Sequence, residues 1–120
     1  MSNESIIQVF EGINVRIVWS EEEQEYYFAV ADIVQVLTDT TNPRDYIKKM
    51  LKRDEELKFK WGTICPPVRM MAPDGKQRMT QAATLENIFR IIQSIPSKKA
   101  EPVKQWLAEV GAQRVDQMIF

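Results

Sequence analysis

The sequence predicts a small α+β domain, and three observations indicate that class. The first third of the chain alternates β-branched, aromatic and polar residues in the manner of strands. From Val30 onward, apolar residues recur at helical spacing, with one hairpin-like segment between the helices. At 120 residues, the chain is long enough for one core and too short for two independent ones. We therefore expect a single domain, residues 1–120, in which a small antiparallel β-meander and a β-hairpin pack with four to five short helices.

The strands are predicted from runs of β-branched and aromatic residues bounded by turn-forming segments. The three runs of the meander are Ile6–Phe10, Val15–Trp19 and Tyr26–Ala29. The later hairpin places Pro73-Asp74-Gly75, a turn sequence, between the runs Val68–Met71 and Lys76–Thr80.

The first two helices follow the meander. Val30–Thr38 carries Ile33, Val34 and Leu37 at helical spacing, with Asp32 in the first turn, where it favours the positive end of the helix dipole. Pro43–Arg53 begins after Asn42, which can cap it. Residues 56–61 give only a weak pattern, and Gly62 with Pro66-Pro67 argues against a long regular element there.

The later helices carry the strongest apolar pattern. Thr84 is expected to cap a third helix, whose apolar residues fall within about 160° at about 100° per residue. These residues are Leu85, Ile88, Phe89, Ile91, Ile92 and Ile95. A fourth helix is expected to start near Lys99 and to end before Gly111 as its C′ residue. A short final helix would carry Val115, Met118 and Ile119.

Charge is divided unevenly along the chain, although the net charge is only −1. Residues 1–42 hold one basic residue, Arg16, and eight acidic ones, a net of −7. Residues 43–120 hold fifteen basic and nine acidic residues, a net of +6. A split of this kind suggests two faces of opposite sign, one of which could approach a polyanion.

The second helix is the main candidate for such a face. At helical spacing its cations lie on one side and its apolar residues on the other. The cations are Arg44, Lys48, Lys49, Lys52 and Arg53. Long cations on an exposed helix match what DNA phosphate contacts require. The alternative is a solvated face that Asp45 partly neutralises.

The hairpin supplies three further candidates for DNA contact, Arg69, Lys76 and Arg78. A two-stranded ribbon is narrow enough to enter a major groove. The alternative is a soluble edge, because charged strand residues also deter edge-to-edge pairing.

The aromatic residues are mostly expected in the core. Trp19, Phe28, Phe89 and Trp106 occupy apolar positions of strand or helix patterns. Trp61, beside Lys58 and Lys60, is the expected exception, as a stacking residue or an anchor for a partner.

The sequence lacks most of the residues and motifs that enzymes use for catalysis. There is no His and no Gly-rich phosphate loop, so we expect no enzyme, no cofactor and no metal site. Glu21-Glu22-Glu23 is interpreted as a solvated cluster in a turn, and the single Cys65 as a buried or bystander thiol. With no targeting or membrane-spanning pattern, the expected location is a reducing cytoplasm, with no membrane partner.

Two separated segments resemble the N-terminal domain of the BRO family. YFAVADIVQVL at Tyr27–Leu37 with NPRD at Asn42–Asp45 is similar to the opening of that domain. FRIIQSIPSKKAEPVKQWLA at Phe89–Ala108 is similar to its closing helical pair, as found in DNA damage-inducible protein D and phage antirepressor-like proteins. The resemblance implies an α+β, nucleic-acid-binding domain that is commonly followed by a variable C-terminal domain. The chain is accordingly expected to be either a stand-alone version or a fragment.

Two functions follow as hypotheses. The first is a DNA-binding regulatory domain that uses the second helix and the hairpin mainly for phosphate contacts, in a transcriptional or stress-response setting. The second is a protein-interaction module, either an antirepressor that captures a repressor or a homodimerisation domain, whose acidic first third faces a basic partner.

Overall fold

A computed structural model describes residues 4–72 and 74–119, and the side chains of residues 6–72 and 74–111. It contains five strands and five helices within those residues. In chain order they are β1 (Glu4–Phe10), β2 (Ile13–Ser20), β3 (Glu25–Ala29), α1 (Val30–Thr38), α2 (Pro43–Arg53), α3 (Glu55–Ile64), β4 (Pro67–Met71), β5 (Gln77–Ala83), α4 (Leu85–Gln93) and α5 (Ala100–Ile119). The α+β class is confirmed.

The predicted meander is confirmed, and its turns explain its register. Glu11 and Gly12 join β1 to β2 with φ values of 49° and 82°, as a two-residue hairpin turn requires. This turn sets Phe10 opposite Ile13 and Ile7 opposite Arg16. The acidic turn between β2 and β3 is closed by the Gln24 N–H, which donates to the Ser20 carbonyl at 2.7 Å.

The predicted hairpin, β4–β5, does not stand apart from the meander but completes its sheet. The strand order is β1-β2-β3-β5-β4, and each neighbouring pair is antiparallel. Among the described residues, two pairs join β3 to β5, Phe28 with Ala83 and Ala29 with Ala82. The sheet curls around this two-pair seam, which brings β4 towards β2.

The main core lies on the helical side of the sheet. Val15, Ile17 and Phe28 point to that side and pack with the buried residues of the helices. The apolar face of α4 contributes Ile88, Ile91 and Ile92, all of which are buried as predicted. A second, smaller cluster lies on the opposite face and consists of Val18, Ala29, Met70 and Ala82.

Three helices begin where the sequence predicts. The helices α1 and α2 have the expected boundaries, and α4 starts at Leu85, directly after Thr84. The Thr84 side chain makes no capping hydrogen bond, although its position is the expected one.

The expectation of no long element near residues 56–61 was wrong. Residues 55–64 form α3, a ten-residue helix. Asp54 is the cause, because its Oδ1 accepts a hydrogen bond from the Leu57 N–H at 3.0 Å and so caps the new helix directly after α2 ends. Gly62 is accommodated inside the helix, and the two prolines come only after its end.

The predicted break at Gly111 was also wrong. A single helix, α5, continues through this residue to Ile119, so the separate final helix does not exist. A Cβ placed on Gly111 would lie 3.8 Å from Leu85 Cδ2, which shows that α4 approaches α5 closely here. A glycine inside a helix costs only about 1 kcal/mol relative to alanine, so it need not end one. The side chains of Val115, Met118 and Ile119 lie outside the described residues.

Candidate nucleic-acid interface

The helix α2 begins as its sequence predicts. Asn42 Oδ1 accepts a hydrogen bond from the Asp45 N–H at 3.1 Å, and Pro43 occupies the first turn, where its missing N–H is not needed. Lys52 and Arg53 lie in the last turn, where the helix dipole favours cations. Local sequence therefore fixes this helix at both ends.

The two faces of α2 point as predicted. Met50 is buried in the main core, and Tyr46, Ile47 and Leu51 pack against the core from the same side. The opposite face is exposed and carries all five cations, Arg44, Lys48, Lys49, Lys52 and Arg53. We call these five residues the α2 basic face.

Most of the charge on the α2 basic face is unopposed. Five cations and the single acid Asp45 give the helix a net charge of +4. Asp45 pairs with Lys49 at 3.1 Å, as the alternative interpretation expected. In the described part of the chain, the other four cations form no ion pair.

The neighbouring helix α3 presents an aromatic residue that the sequence interpretation missed. Leu57, Trp61 and Ile64 are buried at positions i, i+4 and i+7, which turns Phe59 directly away from the core. Phe59 is 90% exposed, between the exposed Lys58 and Lys60.

The expectation that Trp61 is the exposed aromatic residue was wrong. Trp61 is only 8% exposed, and its indole Nε1 donates to Gln81 Oε1 on β5 at 3.3 Å. The helical spacing of Leu57, Trp61 and Ile64 was the signal that could have separated these two aromatic residues. Because the pattern over residues 56–61 predicts a helix only weakly, this spacing could not be assigned to a buried helix face. Of the four other expected core aromatics, Trp19 and Phe28 are buried, and Phe89 and Trp106 pack against the main core.

The three hairpin cations are exposed but do not form one face. Arg69 lies opposite Met79, and Arg78 lies opposite Met70, so strand alternation places the two arginines on opposite faces of the ribbon. Arg78 pairs with Asp74 at 2.6 Å, and this hydrogen bond lowers the pKa of the Asp74 carboxyl. Lys76 lies next to the turn and is exposed. The hairpin thus offers a less concentrated charge than the α2 basic face.

The acidic turn is exposed, as predicted for Glu21, Glu22 and Glu23. The Tyr27 hydroxyl donates to Glu23 Oε2. Burial and this hydrogen bond raise the pKa of Tyr27 to about 12. Among the described residues, no group of three or more His, Cys, Asp or Glu side chains could hold a metal ion.

Cys65 is buried, as expected for a structural thiol. Its Sγ lies 3.2 Å from the Trp61 carbonyl, to which the thiol donates. Burial raises the pKa of the thiol to about 12, so the reactive thiolate is disfavoured.

An ion pair with several hydrogen bonds lies away from the α2 basic face, and its partners are sixteen positions apart. Asp32 Oδ2 accepts from the backbone N–H of Arg16 at 2.9 Å and from Arg16 Nε at 2.8 Å, while Oδ1 accepts from Nη2 at 3.1 Å. Arg16 Nη1 also donates to the Met71 carbonyl at 3.3 Å. We call this arrangement the Arg16–Asp32 clamp, and it joins β2, α1 and β4.

A cleft of about 850 Å³ opens above the clamp, between the meander and the hairpin. Its walls include Ile7, Met70 and Met71, and the two charges at its base are already bonded to each other. The cleft therefore provides no free cation from the clamp for a phosphate.

The fold and the exposed charge together define an α+β domain with one strongly basic helical face. The chain belongs to the BRO family: the model of the BRO family N-terminal domain matches residues 14–112. Neither the curated proteins nor the solved structures include a significant match. At the level of the family, the match suggests a DNA-binding or antirepressor-like domain.

The two segments that carry the family resemblance contact each other in the fold. Ser97 Oγ donates to the Leu37 carbonyl at 2.6 Å, and Lys99 Nζ donates to both carboxylate oxygens of Asp39 at 3.0 Å. The hydrogen bond to Asp39 raises the pKa of Lys99. No helix in the described ranges is long and apolar enough to cross a membrane.

Proposed function

We propose that the chain is a DNA-binding regulatory domain of the antirepressor or stress-response type, acting in the cytoplasm without enzymatic activity. The α2 basic face is its main contact surface. One observation carries the proposal: five cations lie on the exposed side of one helix whose other side is anchored in the core. Because the helix is already folded and anchored, its long cations can meet successive phosphates without a cost for ordering the backbone.

The α2 basic face should contribute mainly phosphate contacts. Arg44, Lys48 and Lys52 are exposed on this face, and none of them has an opposing carboxylate among the described residues. Lys49 is already paired with Asp45, so its contribution should be smaller. Arg69, Lys76 and Arg78 of the hairpin are proposed as secondary contacts.

The test is the salt dependence of binding to a random-sequence DNA duplex, measured by fluorescence anisotropy. The slope of log affinity against log salt should fall by about 0.9 for each phosphate that the triple variant Arg44→Ala, Lys48→Ala, Lys52→Ala no longer neutralises. A charge-preserving control, Arg44→Lys, Lys48→Arg, Lys52→Arg, should keep the slope of the original chain. An unchanged slope in the alanine variant, or no binding at low salt, would contradict the proposal.

A second candidate function, a protein-interaction module that captures a repressor, is favoured by Phe59. At 90%, Phe59 is the most exposed of the large apolar residues that the structure describes, and large aromatic side chains are common anchors at protein interfaces. If the proposal holds, the chain captures a repressor even at high salt, and Phe59→Ala should abolish that capture. The same variant should leave the slope of log DNA affinity against log salt unchanged. Capture that is lost at high salt and is unchanged by Phe59→Ala would contradict an apolar interface at Phe59.

A further inference from the structure

The two edges of the five-stranded sheet differ in how they are protected. At one edge, β4 is five residues long, contains Pro67 and carries the exposed Arg69. Proline and charge are the usual means by which proteins keep edge strands from pairing. At the other edge, β1 is seven residues long and has neither proline nor a charged residue between Ser5 and Phe10. Of these two edges, only β1 is left open to another strand.

The hydrogen-bonding groups at the open edge can be identified from the register. Arg16 lies opposite Ile7, and the Arg16 N–H points away from β1, because it donates to Asp32. Arg16 and Ile7 therefore form a non-hydrogen-bonded pair, in which the Ile7 N–H and C=O point outward. The same alternation turns the backbone groups of Ser5 and Val9 outward.

The side chains at this edge are apolar. Ile7 is 59% exposed and Val9 is 58% exposed, both on the sheet face opposite the main core. Isoleucine and valine favour a paired strand, where cross-strand contacts cover them. Within the part of the chain that the structure describes, the edge thus combines unpaired backbone groups with exposed β-branched side chains.

We propose that β1 pairs in antiparallel fashion with β1 of a second copy of the chain, which forms a two-fold dimer with a continuous ten-stranded sheet. Two-fold pairing of identical strands is necessarily antiparallel and self-complementary. With the axis at Ile7, all three outward-facing residues find partners, since Ser5 falls opposite Val9 of the partner subunit. No charged residue lies between Ser5 and Phe10, so no like charges meet within that stretch of the pairing.

The main test is sedimentation equilibrium of the full 120-residue chain over a concentration series. A single strand pair is a small interface, so we expect a dimer with a dissociation constant of roughly micromolar order. Ile7→Glu should weaken it about tenfold or more, because two carboxylates would meet across the axis. A chain that stays monomeric up to about 0.5 mM would overturn the proposal.

Met79→Glu is the matched control. Met79 is 60% exposed on β5, and a glutamate there would face Arg69, just as a glutamate at position 7 would face Arg16. Ile7→Glu and Met79→Glu therefore change the net charge equally, and each places a carboxylate opposite an arginine on the neighbouring strand. Met79→Glu should leave the dissociation constant within about twofold, which is about 0.4 kcal/mol at room temperature. Equal weakening by both variants, or by neither, would contradict pairing at β1.

Amide exchange gives a second readout that does not depend on a variant. In the dimer, the amides of Ser5, Ile7 and Val9 should become protected as the protein concentration rises. The amides of Ile6 and Gln8 face β2 and should be protected at every concentration. If the odd-numbered amides keep exchanging fast in a sample that sedimentation shows to be dimeric, the dimer uses another surface and the proposal fails.

Discussion

Two ion pairs in this molecule join the same kinds of groups and differ in almost everything else. Arg16 and Asp32 have side chains that are only 19% and 14% exposed, and they share three hydrogen bonds across two elements. Lys49 and Asp45 have side chains that are 72% and 49% exposed and lie four positions apart on one helix. The contrast teaches that burial and hydrogen-bond number, not the mere approach of opposite charges, decide which charges hold the fold together.

The largest effect should come from removing the clamp carboxylate. Asp32→Ala leaves the Arg16 guanidinium and its backbone N–H without their shared acceptor in a half-buried site. Loss of one partner of such a pair typically costs about 2–4 kcal/mol in free energy of unfolding. Urea denaturation measures it. A loss below about 0.5 kcal/mol would show that the clamp stabilises the fold no more than a surface pair does.

The next largest effect on the free energy of unfolding should appear at alkaline pH, because burial keeps two side chains in their neutral form. Burial raises the pKa of Cys65 from 9.0 to about 12, and that of Tyr27 from 10.0 to about 12. Above pH 9 the unfolded chain releases these protons while the folded chain keeps them, so the free energy of unfolding falls as pH rises. For Cys65 the fall should be of order 2 kcal/mol between pH 9 and 11.

Denaturant unfolding at pH 8, 9, 10 and 11 checks this expectation. Cys65→Ala removes the titrating thiol, so its stability should decline less steeply than that of the original chain, whatever the variant costs at pH 8. Parallel pH profiles for the two proteins would show that Cys65 does not contribute.

The smallest effect should come from the surface pair. Asp45→Ala should change the free energy of unfolding by no more than about 0.5 kcal/mol, and 1 M NaCl should remove even that difference. The same variant should strengthen DNA binding slightly, because it frees Lys49 and raises the net charge of α2 by one. A larger loss of stability would show that the Asp45–Lys49 pair contributes substantially to the folding of α2, contrary to this prediction.

The clamp also shows where sequence reasoning ends. That Arg16 is the only basic residue in the first 42 positions was visible, but its partner was not. Asp32 was interpreted only through the helix dipole, since nothing local relates it to a strand sixteen residues earlier. The joining of β3 to β5 was hidden for the same reason, because strand pairing across more than fifty residues leaves no local pattern.

Local features were recovered much better. The turn at Asp74-Gly75, the cap at Asn42 and the apolar face of α4 each have a mechanism that acts within a few residues. The two wrong helix predictions have one origin: glycine predicts a helix end at Gly62 and Gly111, and both residues lie inside helices. The basic character of α2 was predicted correctly because amphipathic helices expose their charged side whatever surrounds them.

The two-pair seam between β3 and β5 has a consequence for how the chain reaches this fold. The β1–β2 and β4–β5 hairpins each close over short turns. The seam between β3 and β5 can form only after the intervening chain, which includes α1, α2 and α3, has become compact. Loop-closure entropy makes that the slow step and places it late. Because Phe28, Ala29, Ala82 and Ala83 are all fully buried, the seam, once formed, should open only together with the core.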